Sequence, residues 1–137
     1  MAWNAPDVGE IELLKRVLYA NPATENLTLK LYKNSVVYAE TDTASTYTVA
    51  DFTGYSDKTL TSTQSGSTWG APTTSSGVTS STYGTSFVWT AGSGQSIFGQ
   101  YIVGATSGIL LLVDPFAGAK TLASGDTMTT ATKISLD

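Results

Sequence analysis

Ile97-Phe98-Gly99-Gln100-Tyr101-Ile102-Val103, then Gly104 to Gly108, then Ile109-Leu110-Leu111-Leu112-Val113 is the stretch that decides the fold. The first run is aromatic and β-branched, a composition that suits a pleated, half-buried surface. The glycine-bounded segment after it reads as a tight turn, so the two runs are expected to pair as a hairpin. The second run is apolar at every position. A strand with one wet face alternates, whereas one that is apolar on both faces lies between two layers. Ile109 to Val113 is therefore expected to be a central strand of a sandwich, stopped by Asp114-Pro115.

The same period runs outward in both directions. Towards the C-terminus, Leu122 to Asp126 reads as a turn, and Met128, Thr130, Thr132, Ile134 and Leu136 alternate as one closing strand. Towards the N-terminus, Thr85 to Thr90 carries Phe87 and Trp89 in alternation, ahead of a turn at Ala91 to Gln95. Trp89 is expected in the core. Leu27, Leu29 and Leu31 alternate with Thr28, Lys30 and Tyr32 as a half-buried strand. Asn34 to Ala44 is a polar connection with an apolar centre, Val36-Val37-Tyr38. Tyr47 to Phe52 is a short extended piece ending at Gly54, and Tyr55 and Leu60 flank a turn-like Ser56-Asp57-Lys58. Ser62 to Thr82 is low in complexity and reads as a long loop followed by a weak strand, Val78 to Thr82. Structureless loops of this length are uncommon inside compact domains, which points to a protruding or partner-ordered segment. Seven or eight short strands at this spacing predict a mainly β fold, an antiparallel β-sandwich or jelly roll.

One stretch breaks the pattern. Asp7 is placed to cap a helix and Glu10 follows three residues later, as in a capping box. Ile11, Leu14 and Leu18 repeat at helical spacing beside Val17, and Lys15 and Arg16 fall where cations suit the helix dipole. The helix is expected to end around Tyr19-Ala20, before Asn21-Pro22. So short a helix is not stable alone. Its apolar stripe must lie on its own sheet or on another subunit. The expected organisation is an N-terminal arm and helix over residues 1–20 and a β-sandwich over residues 21–137.

The 137 residues suit one domain. There is no cysteine, which excludes a disulfide-stapled scaffold, and no histidine, which excludes a His-based triad or a His/Cys zinc site. Hydrophobic residues make up 41% and the net charge is −4, so the chain is expected to fold rather than stay disordered. Seven Lys and Arg, scattered along the chain, give no basic footprint for nucleic acid. Met1 to Asp7 has neither the cationic start nor the apolar core of a signal peptide, and no apolar run approaches the length of a membrane span. Only 13% of residues are charged; a neutral surface rich in hydroxyls suits a long-lived protein–protein assembly, where few charges must be desolvated.

Few residues point to chemistry. Glu40-Thr41-Asp42 with Asp51 and Asp57 offers oxygen ligands for calcium, but the spacing matches no EF-hand loop and a solvated loop explains it better. Paired carboxylates for glycoside hydrolysis cannot be read from the spacing, and no base stands beside Lys58 or any hydroxyl to activate it. Gly92-Ser93-Gly94 precedes a strand rather than a helix, so it is turn chemistry and not a phosphate cradle. No enzyme, metal or cofactor is expected. Trp69, between loop serines and Gly70, either plugs the edge of its own core, anchors a partner or stacks on a sugar. Trp3, ahead of the helix, is a further candidate anchor. The expected partner-binding residues are Trp3, Ile11, Leu14, Leu18 and Trp69.

The order of these features resembles a known family. A short N-terminal helix is followed by Asn26-Leu27-Thr28-Leu29-Lys30-Leu31-Tyr32-Lys33-Asn34, then Ala50-Asp51-Phe52-Thr53-Gly54-Tyr55 and Lys58-Thr59-Leu60. Trp69-Gly70, Phe87-Val88-Trp89-Thr90, Ile97 to Val103 and Ile109 to Leu112 complete the series. It is similar to the small jelly-roll decoration (cement) proteins on the heads of tailed bacteriophages, over about residues 9 to 136. The resemblance implies a homotrimer on the outer capsid surface of the virion, made in the host cytoplasm and bound to the major capsid protein. It carries over no catalytic residues and implies no direct nucleic-acid or membrane contact. A virion fibre or tail-associated β-sandwich that binds host glycan is the alternative.

Overall fold

A computed structural model describes residues 3–18, 25–61 and 69–136. Among them are one α-helix, α1 (Asp7–Leu18), a short 3-10 helix (Ala44–Thr46) and nine strands: β1 (Leu27–Tyr32), β2 (Lys58–Leu60), β3 (Thr73–Ser75), β4 (Val78–Thr82), β5 (Phe87–Thr90), β6 (Gln95–Gly104), β7 (Leu110–Leu122), β8 (Thr127–Thr130) and β9 (Lys133–Leu136). Every strand pairing is antiparallel. The fold is mainly β with one short N-terminal helix, as the periodicities predict.

The main sheet has the order β2-β1-β6-β7. β6 and β7 form the expected hairpin, with Tyr101 opposite Val113 and Gln100 opposite Asp114. On the other side of β6, Leu29 lies opposite Ile102 and Leu31 opposite Gln100. The second layer is made of β3-β4-β9 and the pair β5-β8. Between the layers sits the larger core, in which Leu29, Leu31, Ile102 and Leu111 of the main sheet meet Tyr83, Trp89 and Met128 of the second layer. Trp89 is 1% exposed and donates its indole N–H to Ser56 O at 2.8 Å.

The main sheet is covered on its other face too. Tyr32, Tyr101, Val103, Leu110 and Val113 pack there with Tyr47 and with Val8 of the helix. Tyr32, Tyr47 and Tyr101 form a cluster with ring centroids 4.8, 5.5 and 6.3 Å apart. Burial pushes the Tyr32 and Tyr101 phenols up to about 12, and the Tyr47 phenol, which also donates to Asp42 Oδ2, is raised further. Cover on both faces is why Leu110 to Val113 is apolar without alternation.

The arm and the start of α1 are tied to β7. Asn4 exchanges two backbone hydrogen bonds with Val113, at 2.7 and 2.8 Å. A side chain at Gly9 would run into the backbone carbonyl of Leu111, so glycine is what lets the first helical turn lie against the strand. Glu25 makes a second tie. Its carboxylate accepts from Thr106 N, Ser107 N and Ser107 Oγ at 2.6–2.8 Å, pinning the β6–β7 turn to the start of β1. Glu25→Ala is expected to lower stability by about 1–3 kcal/mol and to speed amide exchange at Thr106 and Ser107. Unchanged exchange there would show that the turn holds itself.

Four expectations are corrected. Ile109 to Val113 is not a central strand: β7 lies at the edge of the main sheet, and its continuous apolarity comes from cover on both faces. Pro115 does not stop the strand: β7 continues to Leu122. β7 is an edge strand, so a residue without an N–H is tolerated there, and Pro115 sits opposite Gly99. The ladder breaks just beyond it, because the next pair is Ile97 with Lys120, and residues 116–119 arch out opposite Phe98 alone. Met128 to Leu136 is not one strand. β8 pairs with β5 and β9 with β4, and between them Thr132 accepts from Tyr83 N at 2.8 Å. The inward alternation runs unbroken through the switch, so the pattern hides it. Finally, the Ser/Thr-rich stretch contains a hairpin, β3–β4, turning at Ser76 (φ 52°) and Gly77 (φ 85°), a two-residue turn with both central residues in the left-handed region. Residues 62–68 of that stretch lie outside the described residues.

Candidate interaction site

The helix shows what the fold leaves uncovered. Its first turn is docked, with Gly9 buried and Val8 half-buried. The next turn is not. Ile11 is 54% exposed, Leu13 39% and Leu14 58%. The stripe that should seek cover is therefore in solvent over its described part; the side chains of residues 15–18, Leu18 among them, and the expected helix end at Tyr19-Ala20 lie outside the described residues. Beside the stripe is a cleft of about 420 Å³ between α1, the turn at Thr43 to Ser45 and the hairpin end at Gly108 to Leu110. Its floor is apolar, with Val8, Ile109 and Leu110 contributing. Asp7 N donates to Glu40 O at 2.9 Å and Tyr38 OH to Ala5 O at 2.9 Å, so the 36–46 segment is tied to the helix start.

Sequence reasoning missed Leu13 and Val37, the latter 91% exposed. Val36-Val37-Tyr38 within a polar connection carried the signal. Val36 and Tyr38 turn inward to the tyrosine cluster, and the residue between them is left facing water.

The two candidate tryptophans are both half-buried. Trp3 packs on the larger core and donates its indole N–H to Lys133 O at 3.0 Å. Trp69 sits edge-on to Tyr83, 5.1 Å between centroids, and bridges to it through the backbone. It lines a cleft of about 340 Å³ with Leu27, Pro72, Ser81 and Ile134. The structure does not bring Trp69 and the helix into one site; each lines its own cleft.

Of the carboxylates that could have offered calcium its ligands, Asp42, Asp51 and Asp57 are engaged locally. Asp42 is buried and accepts from Tyr47 OH at 2.7 Å and Ala39 N at 2.9 Å. Asp51 pairs with Lys33 and Gln95, and Lys33 foremost holds its carboxyl below the usual range. Asp57 pairs with Lys30 at 3.0 Å. Among the described residues no group of three or more carboxylates stands together.

Asp114 differs from these. It is 1% exposed, accepts from Gln100 Nε2 at 2.9 Å, and has no ion-pair partner among the described residues. Burial holds its carboxyl above the usual range. An acid whose folded pKa is raised binds its proton more tightly in the native state. The fold therefore loses stability as pH rises from the ordinary carboxylate range through the raised folded value. Asp114→Asn is expected to abolish that loss, and so to be more stable than wild type at about pH 7 and closer to it at about pH 3. Urea melts of both proteins at the two pH values isolate this group, since the other carboxylates titrate in both. A difference that does not change with pH would refute the assignment.

Compared with protein-family models and with curated proteins, the sequence matches none.

Proposed function

We propose that the protein is a tailed-phage capsid decoration (cement) protein: a non-enzymatic structural subunit on the outer face of the head that binds the major capsid protein as a homotrimer. The reading takes the sandwich as a jelly roll. The observation that carries it is the helix whose first turn is docked while Ile11, Leu13 and Leu14 are presented to solvent. A helix of 12 residues has little stability of its own. Two large apolar side chains more than half exposed, beside an apolar cleft, are what a partner surface would cover. A low charge content keeps the desolvation penalty of such contacts small.

A clamp of this kind acts by linkage. It binds the assembled seam and not the separated subunits, so each copy shifts the balance towards the intact shell. Copies burying on the order of 1,000 Å² each would do so without any single strong contact. Three copies in a ring need a head-to-tail interface.

The test is co-sedimentation of purified protein with expanded capsids stripped of their decoration layer. Saturable binding at one trimer per three-fold position is expected. Folded protein that fails to bind capsids of the right phage would end this reading and favour the second one, a fibre or tail domain that binds host glycan. That second reading rests on the Trp69 cleft, where an aromatic ring and Pro72 stand beside the hydroxyl residues Thr79, Ser80 and Ser81.

A further inference from the structure

A third cleft, of about 260 Å³, opens where Trp3 and β9 meet the β6–β7 pair. Its lining is Trp3, Gln100, Asp114, Ala131, Lys133 and Ser135. Gln100 and Asp114 are 2% and 1% exposed, side by side in the register of β6 and β7. Gln100 spends its amide N–H on Asp114 Oδ2, and its Oε1 has no hydrogen-bond partner. A buried acceptor without a donor is rare in native proteins and marks either strain or an absent group. Asp114 has the complementary deficit, a buried acid with no ion pair among the described residues, Lys120 acting on it from beyond ion-pair distance. The wall is an indole whose N–H is committed to Lys133 O, which fixes the orientation of the ring.

We infer that this cleft binds a guanidinium group, the chemistry of an arginine side-chain end. Guanidinium is flat, always charged and carries only donors, in a fork that suits a carboxylate and a neighbouring carbonyl together. Its face stacks on an indole. A neutral amide lacks the charge for Asp114, and an ammonium lacks the planar face for Trp3. The two floor residues are shut off from bulk water, so a guanidinium reaching them would meet a buried carboxylate and an unpaired carbonyl. Lys133 is exposed and its ammonium is free to stay in solvent. Binding of a small guanidinium probe does not depend on the capsid reading.

The test titrates the intact folded protein with methylguanidinium, following the Gln100 side-chain amide by NMR, with methylammonium and urea in parallel. Nα-acetylarginine amide and free arginine, in two further titrations, distinguish a peptide-borne group from the free amino acid. Saturable shifts with methylguanidinium are expected, with urea and methylammonium weaker. Asp114→Asn, a variant expected to be well folded, should weaken binding about 30-fold. Trp3→Leu should weaken it roughly 2- to 5-fold. Binding should also fade as pH falls and Asp114 takes up its proton. No saturable shift in folded wild type, equal binding by Asp114→Asn, or the same response to urea (an ordered solvent pocket only) would each overturn the assignment.

Discussion

Trp89→Ala is expected to remove about 3–5 kcal/mol of folding stability, because Trp89 is the largest of the fully buried side chains. It is 1% exposed at the centre of the larger core. It lies opposite Met128, so it joins β5 to β8 while filling the space above the main sheet. Phe87 stands 6.5 Å away and the Lys58 ammonium lies 5.2 Å over its ring. Truncation opens a cavity that these neighbours, fixed by two layers of backbone, cannot close. It also strips Ser56 O of its donor. Domains of this kind hold only about 5–15 kcal/mol in total, so the variant should be close to unfolded at 37 °C. The adjacent Val88 is the control. It is 51% exposed on the opposite face of the same strand, and Val88→Thr should change stability by roughly 0.5 kcal/mol or less. Urea denaturation of the two proteins checks the pair. A loss below about 1 kcal/mol for Trp89→Ala would mean that the core repacks around the gap.

The second large effect is on binding. Ile11→Asp with Leu14→Asp is expected to weaken association with decoration-free capsids by more than about 30-fold, a loss of about 2 kcal/mol or more, as for anchors at the centre of an interface. Folding should be nearly unaffected, because the chain itself covers less than half of either side chain. The discriminating result is the combination: an unchanged urea midpoint with binding lost. A melted variant would show that the helix serves its own fold. Unchanged binding would show that the capsid contact lies elsewhere, with the Trp69 cleft the next surface to substitute.

The residues that were legible in the sequence are those whose period reports directly on burial. β6 and β7 were readable because a two-sided strand has no alternative to continuous apolarity, and Trp89 because it alternates within a short aromatic run. Helix α1 was legible from its spacing and the acids of its first turn, although it starts at Asp7 rather than being capped by it, and the side it faces was not legible. An amphipathic pattern says that a stripe needs cover and is silent on what provides it. The run of β7 through Pro115 was hidden for a similar reason. Proline forbids a central position, and whether a strand is central depends on pairings far away in sequence. The switch at Ala131-Thr132 left the alternation intact, so only the change of partner, from β5 to β4, reveals it. β4 is the weak strand expected at Val78 to Thr82, but its partner β3 was hidden, because its three residues are all exposed serine or threonine and leave no burial pattern to read. Gln100 and Asp114 were passed over for a different reason. They are ordinary polar residues until the register of β6 and β7 sets them side by side at the edge of a cleft.

The seating of the arm has a consequence for how the molecule is made. Residues 3–9 rest on β7 and β9, so this segment waits for strands far along the chain before it has anywhere to lie. β1 likewise waits for β6. Pairings so distant along the chain make for slow folding, on a scale of milliseconds to seconds. A chain that stalls before β7 is complete has no surface on which to orient α1. Presentation of the helix thus depends on β7 being in place.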